Sequence, residues 1–166
     1  MTVSLTRRYR FCASHRLHSV LLNDVENQRL YGKCNNPYGH GHDYTLSVTA
    51  SGPLDPMAGI LFPISHLDRL VDEHILARFA HRNFNVDVAE FETVVPTTEN
   101  IALVIVDLLR KNWADYIYPA SAQLTRVQME ETDRNSFEVV LPVAARRADA
   151  HLEELREVEG RVPVNA

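Results

Sequence analysis

His40-Gly41-His42 is the stretch of this chain best equipped for chemistry, with His15 upstream and Cys34 six residues before the pair. Two histidines one residue apart on an extended segment project to the same side. A third histidine closes a facial set of three nitrogens. That set suits zinc and leaves one coordination position open, as catalytic zinc sites do. His15 is the candidate for the third place; a partly buried strand histidine is the other reading of it, and periodicity does not separate the two. A nearby metal cation would favour the thiolate of Cys34 and make it a candidate base. A passive loop thiol is the alternative, although Asn35, Asn36, Pro37 and Gly39 describe a tight polar loop rather than a core. A structural zinc held by one cysteine and three histidines in an unrelated fold is a further reading of the same residues.

The remaining titratable residues divide by context. His18, His66, His74 and His151 stand singly and read as structural or exposed histidines. Glu131 lies in Glu130-Glu131-Thr132-Asp133 at a strand end. It is either a solvated turn-edge carboxylate or an anchor that accepts two hydrogen bonds from the amino and ring N–H groups of a pterin- or guanine-like ring. Thr97 and Thr98 follow Pro96 and read as helix caps, with Glu99 well placed for the helix dipole.

The elements that must position these groups are legible in outline. Val3 to Leu17 alternates as a strand, with Tyr9, Phe11, Ala13 and His15 on one side. Ser19 to Asn36 is polar, lacks period and reads as a long loop. Asp43 to Ser51 alternates again, setting Tyr44, Leu46, Val48 and Ala50 against Asp43, Thr45, Ser47 and Thr49. Gly52-Pro53 and Asp55-Pro56 end that strand. Pro63 to Phe79 has helix period, with Ile64, Leu67, Leu70, Val71, His74, Ile75 and Phe79 on one stripe. His81 to Pro96 reads as a polar connector with scattered aromatics. A second helix starts at Thr97 or Thr98 and buries Ile101, Ile105, Leu108 and Leu109. Gln123 to Glu131 and Ser136 to Val143 read as a strand pair around the turn Asp133-Arg134-Asn135. Ala144 to Glu159 is rich in Ala, Glu, Arg and Leu and predicts a helical tail. The order is an α+β arrangement, ββααββ: a four-stranded antiparallel sheet with two helices on one face. Such a sheet has two open edges, for which oligomerisation is a natural cover.

At 166 residues the chain is long enough for one domain that buries roughly 70% of its unfolded surface. The net charge of −5 argues against a general nucleic-acid binder. Arg7, Arg8, Arg10, Arg16 and Lys33 could still meet a polyanionic substrate, or form solvated basic faces. Cys12 and Cys34 do not make a disulfide framework, and Cys12 reads as a buried small hydrophobe in its strand. The amino terminus lacks a signal-peptide pattern and no apolar run approaches ~20 residues, so the expectation is a cytoplasmic protein without membrane contact.

Taken in order, the motifs resemble the 6-pyruvoyl-tetrahydropterin synthase family. They are Phe11-Cys12-Ala13-Ser14-His15-Arg16-Leu17, Leu30-Tyr31-Gly32-Lys33-Cys34-Asn35-Asn36-Pro37 and Gly39-His40-Gly41-His42-Asp43-Tyr44. Leu54-Asp55-Pro56, His81-Arg82-Asn83, Thr97-Thr98-Glu99-Asn100 and Glu131-Thr132-Asp133 follow. The resemblance spans about residues 7 to 140 and implies a tunnelling-fold domain, taken over 1–143; the helical extension over 144–166 lies outside the resemblance and rests on composition. It implies trimers that close their sheets into a barrel, two trimers stacked as a homohexamer, and active sites between subunits. It assigns His15, His40 and His42 to Zn2+, Cys34 and His81 to catalysis, and Thr97, Thr98, Glu99 and Glu131 to pterin binding. The implied reaction converts 7,8-dihydroneopterin triphosphate with loss of triphosphate. A related branch of the family forms 6-carboxy-tetrahydropterin and usually has three residues between the cysteine and the first histidine of H-G-H. Here five intervene, Asn35 to Gly39, which is similar to the pyruvoyl type. The family normally has an aspartate before the histidine of the second catalytic segment. This chain has Ala80 there, and His66 where an aspartate is common. Alanine can neither orient an imidazole nor hold a proton, so a zinc- and pterin-binding homologue without synthase activity is the competing expectation.

Overall fold

The computed structural model describes residues 1–142. The tail expected over 144–166, and with it the expected domain boundary, lies outside the described residues. Four strands form one antiparallel sheet in the order β1-β2-β3-β4: β1 Val3–His15, β2 His40–Gly52, β3 Gln123–Thr132 and β4 Asn135–Val140. Helices α2 Ile64–Val71 and α5 Thr98–Tyr116 pack together, and α5 lies against β3 and β4. The expected α+β architecture is therefore present.

Alternation decides which face of the sheet is core. Tyr44, Leu46, Val48 and Ala50 on β2 are completely buried, as are Val127 and Met129 on β3. They meet Leu67, Leu70 and Val71 of α2 and Ile101, Ile105 and Leu109 of α5. Each such side chain contributes about 1.5–3 kcal/mol by leaving water. Ser47, Thr49 and Ser51 point the other way yet are also buried. Thr49 and Ser51 are satisfied by hydroxyl pairs across three strands: Thr6 with Thr49 at 2.9 Å, Ser4 with Ser51 at 2.8 Å, and Ser51 with Thr125 at 2.9 Å.

Four expectations need correction. The loop expected over Ser19 to Asn36 contains a helix, α1 Asp24–Tyr31, followed by a 3₁₀ turn, Gly32–Asn35. A reciprocal capping box starts α1: Asn23 accepts from the Glu26 N–H, and Glu26 accepts from the Asn23 N–H. Among its residues only Asn27 is buried, so the segment has no apolar stripe to betray it. The connector over His81 to Pro96 contains α4 Phe84–Asp87 and a 3₁₀ turn, Ala89–Phe91, and buries Phe84, Val88 and Phe91.

The helix from Pro63 passes through a π turn, Asp72–Leu76, before the short α3 Ala77–Phe79. Ile64 is 43% exposed rather than part of the buried stripe. His74 is half-buried and lies 3.1 Å from the Tyr116 hydroxyl, which also donates to Glu73. Last, Cys12 is half-buried and sits on the sheet face away from the helices, because Phe11, Ala13 and His15 take the core side.

One end of the free β1 edge is covered by residues 81–83. His81 donates its N–H to the Cys12 carbonyl at 2.7 Å, Ser14 donates to the Arg82 carbonyl at 2.9 Å, and Ser14 and Asn83 form a parallel bridge. His81 has φ +61°. A non-glycine residue in the left-handed region costs about 1–3 kcal/mol and persists only where its surroundings hold it.

Candidate metal centre and active site

The register of β1 on β2 builds the metal site. His15 pairs with His40 and Ala13 with His42, so all three imidazoles leave the core face of the same sheet end. Each of the three offers a ligand atom, and these atoms lie within 4.8 Å of one another. His15 Nε2 and His40 Nε2 are 3.1 Å apart. Two nitrogens on one tetrahedral zinc would stand about 3.3–3.4 Å apart, given Zn–N of about 2.0–2.1 Å. His40 Nδ1 and His42 Nε2 are buried without a hydrogen-bond partner. The unpaired His42 Nε2 beside a convergent donor set is what an ion would explain, whereas His40 Nδ1 is the ring nitrogen away from the Nε2 that meets His15. The residues present therefore fit a metal.

His15 is the best fixed of the three histidines. Its side chain is fully buried, and Nδ1 donates to the Pro96 carbonyl at 2.7 Å. That bond selects the tautomer in which Nε2 keeps its lone pair for a ligand. The Tyr44 hydroxyl approaches the same Nδ1 at 3.5 Å. Burial first of all holds His15 and His40 below the ordinary histidine pKa, and each is further lowered by a neighbouring imidazole. Neutral rings are the form that binds metal. Gly39 lets the loop enter β2 here: its φ is +70°, and a Cβ would lie 2.8 Å from the His15 carbonyl oxygen.

Glu131 joins this group. Its Oε1 lies 3.6 Å from both His15 Nε2 and His42 Nε2, with the side chain only 15% exposed. An irregularity between Glu130 and Thr132 in the β3–β4 pairing takes Glu131 out of the regular alternation, while Glu130 reaches Arg8. Cys34 stands in the 3₁₀ turn Gly32–Asn35, half-buried, with its carbonyl accepting from the Leu17 N–H at 2.8 Å. Burial and then the Glu131 carboxylate push its thiol pKa up. Although it stands in a polar loop, the Cys34 thiol is thus partly shielded from water. A thiolate here requires positive charge of the kind a bound metal supplies.

The other expected residues are placed less uniformly. Thr97 caps α5 through the Asn100 N–H, Thr98 is buried, and Glu99 is exposed in the first turn. The Pro96 carbonyl ties this helix start to His15. His81 is not brought to Cys34. It is exposed on the opposite face of the sheet, where its Nδ1 lies 3.0 Å from Cys12 Sγ. Of the basic residues, Arg7 is paired to Asp68 at 2.9 Å and Arg8 to Glu130 at 3.2 Å. Arg16 holds the Asn35 carbonyl at 3.1 Å. The Pro96 carbonyl and the Tyr44 hydroxyl escaped the sequence reading, since no local pattern links residue 15 to residue 96.

Fold and site together define an α+β protein with three histidines at one end of its sheet that could hold a metal ion. A family model described as 6-pyruvoyl tetrahydropterin synthase matches residues 4–141. The chain belongs to the 6-pyruvoyl tetrahydropterin synthase family. It is 44% identical over 131 residues to the 6-pyruvoyl tetrahydrobiopterin synthase of Poecilia reticulata, covering 79% of this chain and 85% of that one. The Homo sapiens enzyme of the same name is also 44% identical, with 79% and 86% covered. The structure of Caenorhabditis elegans 6-pyruvoyl tetrahydropterin synthase matches with a TM-score of 0.77 at 36% identity, over 86% of this chain and 97% of that one. Among the described residues no helix is long and apolar enough to cross a membrane.

Proposed function

We propose that this protein is a zinc-dependent carbon–oxygen lyase of the 6-pyruvoyl-tetrahydropterin synthase type, acting on 7,8-dihydroneopterin triphosphate with elimination of triphosphate. The observation that carries this reading is the convergence of His15, His40 and His42, with the buried His42 Nε2 lacking a partner. Bound zinc would polarise the side-chain oxygens of the substrate and acidify the adjacent C–H bonds.

The chain's own residues do the rest. Cys34, as thiolate, accepts the proton from the side-chain carbon. The electron pair released moves to expel triphosphate, and the later proton shifts oxidise the side chain while the ring is reduced, so no nicotinamide is consumed. Glu131 accepts the amino and ring N–H of the pterin, and Thr97, Thr98 and Glu99 flank it. His81 serves the site of a neighbouring subunit in a homohexamer. Its exposure on the sheet face opposite its own metal centre supports that arrangement.

Ala80 favours one competing reading, a zinc- and pterin-binding protein that has lost the synthase reaction. The five residues between Cys34 and His40 favour the pyruvoyl over the carboxy-forming product. The zinc-loaded protein is incubated with dihydroneopterin triphosphate, and triphosphate and pterin products are followed. Triphosphate release with 6-pyruvoyl-tetrahydropterin supports the proposal. A 6-carboxy product, or no turnover above buffer at full zinc occupancy, refutes it.

A further inference from the structure

The imidazole of His81 has no acidic neighbour in sequence, because Ala80 precedes it and packs against the hydrophobic core. It nevertheless has a side-chain partner. Cys12 Sγ lies 3.0 Å from His81 Nδ1, and the carbonyl of the same Cys12 accepts the His81 N–H at 2.7 Å. One residue of β1 therefore holds both the backbone and the ring of His81. The backbone there has φ +61°, a conformation that an unheld histidine would leave. The pair opens onto a cavity of about 540 Å³ that Asp43, Arg82 and Asp87 also line.

We infer that Cys12 is the positioning residue for His81, holding Nδ1 through its thiol in the role an aspartate at position 80 would otherwise fill. The two arrangements differ in their proton. An aspartate accepts from Nδ1–H and leaves Nε2 bare, as a base. A thiol donates its hydrogen to Nδ1, so Nε2 carries the ring proton and faces outward as a donor. His81 then offers an N–H hydrogen bond to the negative charge that develops on the substrate, while Cys34 remains the base. This rests on the proposed role of His81 in catalysis. It also explains how the chain dispenses with a carboxylate at position 80.

The test uses full-length, zinc-loaded protein labelled with ¹⁵N-histidine. The long-range ¹H–¹⁵N spectrum of His81 should show the Nε2–H tautomer. Cys12→Ser, whose hydroxyl also donates, should keep it; Cys12→Ala should give mixed tautomers. With dihydroneopterin triphosphate, Cys12→Ala should lower kcat at least about tenfold with KM little changed, since a positioned acid or base supplies roughly 10²–10⁴-fold. Cys12→Ser should stay close to the parent, and adding Ala80→Asp to Cys12→Ala should not recover kcat, because the carboxylate selects the opposite, Nδ1–H tautomer. An Nδ1–H tautomer in the parent, or a Cys12→Ala spectrum identical to it, overturns the inference. So does an undiminished kcat. If the parent does not turn over, the proposed function fails while the tautomer spectra still decide the role of Cys12.

Discussion

Substituting Gly39 with alanine tests how the backbone builds the metal centre. Gly39 has φ +70°, and a Cβ there would stand 2.8 Å from the His15 carbonyl oxygen and 3.3 Å from its carbon. Alanine in the left-handed region costs about 1–2 kcal/mol. The close approach adds roughly 1–3 kcal/mol of overpacking, because the obstructing atoms are backbone and cannot rotate away. For a protein of this length each kcal/mol lowers Tm by about 2–4 °C, so Gly39→Ala should lose about 4–20 °C. Gly59 is the internal control, with φ +69° and nothing within 4 Å of a Cβ. Gly59→Ala should carry only the conformational cost, a loss of about 2–8 °C. Relief of the clash must move β1 and the loop apart at His15 and His40, the pair now 3.1 Å apart through Nε2. Zinc affinity of Gly39→Ala should therefore fall by about 10–100-fold, the usual effect of disturbing the support of a ligand, while Gly59→Ala binds zinc like the parent. Thermal unfolding and competitive zinc titration measure both quantities. Equal losses of Tm in the two variants, or parent-like zinc affinity in Gly39→Ala, would refute the reasoning.

Further predictions follow from the same contacts. Phe84 is completely buried among Tyr44, Phe79 and Phe91, so Phe84→Ala should cost about 3–5 kcal/mol in denaturant unfolding; a loss under about 1 kcal/mol would show that the connector is not core. Cys34→Ala should retain one zinc by metal analysis and lose turnover, whereas loss of the metal would make Cys34 a ligand. His15 and His40 are held below the ordinary value of 6.5, so the unfolded chain binds more protons than the folded one as pH falls through that value. The stability they contribute is complete above about pH 6.5 and is lost below it. Metal-free protein should accordingly melt lower at about pH 5 than at about pH 7.5, and His15→Gln should flatten that dependence; a slope unaltered in the variant assigns it to other groups.

The legible parts of the molecule were those with local periodicity or spacing. Alternation in Tyr44, Leu46, Val48 and Ala50 marks the buried face of β2, and the H-x-H spacing marks two members of the histidine cluster, because both depend on neighbours in sequence. Thr97 after Pro96 marked the start of α5 for the same reason. The missed helix α1 lacks an apolar stripe, yet Asn23 followed three residues later by Glu26 is a capping-box signal that a hydrophobicity pattern overlooks. In the connector, Phe84, Val88 and Phe91 recur at helical spacing within polar surroundings that masked it. Alternation alone sends Cys12 to the outer face, since Phe11, Ala13 and His15 share the core face. What no local pattern could give are the bonds between distant segments, Pro96 to His15 and Cys12 to His81. They are set by how α5 and the 81–83 segment dock on β1.

X-ray absorption at the zinc edge of the zinc-loaded protein examines the central claim most directly. Three imidazole nitrogens and one light-atom ligand at about 2.0–2.1 Å, with no sulfur shell near 2.3 Å, are expected. The nitrogen signal should weaken with metal content in His15→Gln, His40→Gln and His42→Gln alike. A sulfur contribution in the parent, or full zinc retention by any of those three variants, contradicts an open three-histidine centre.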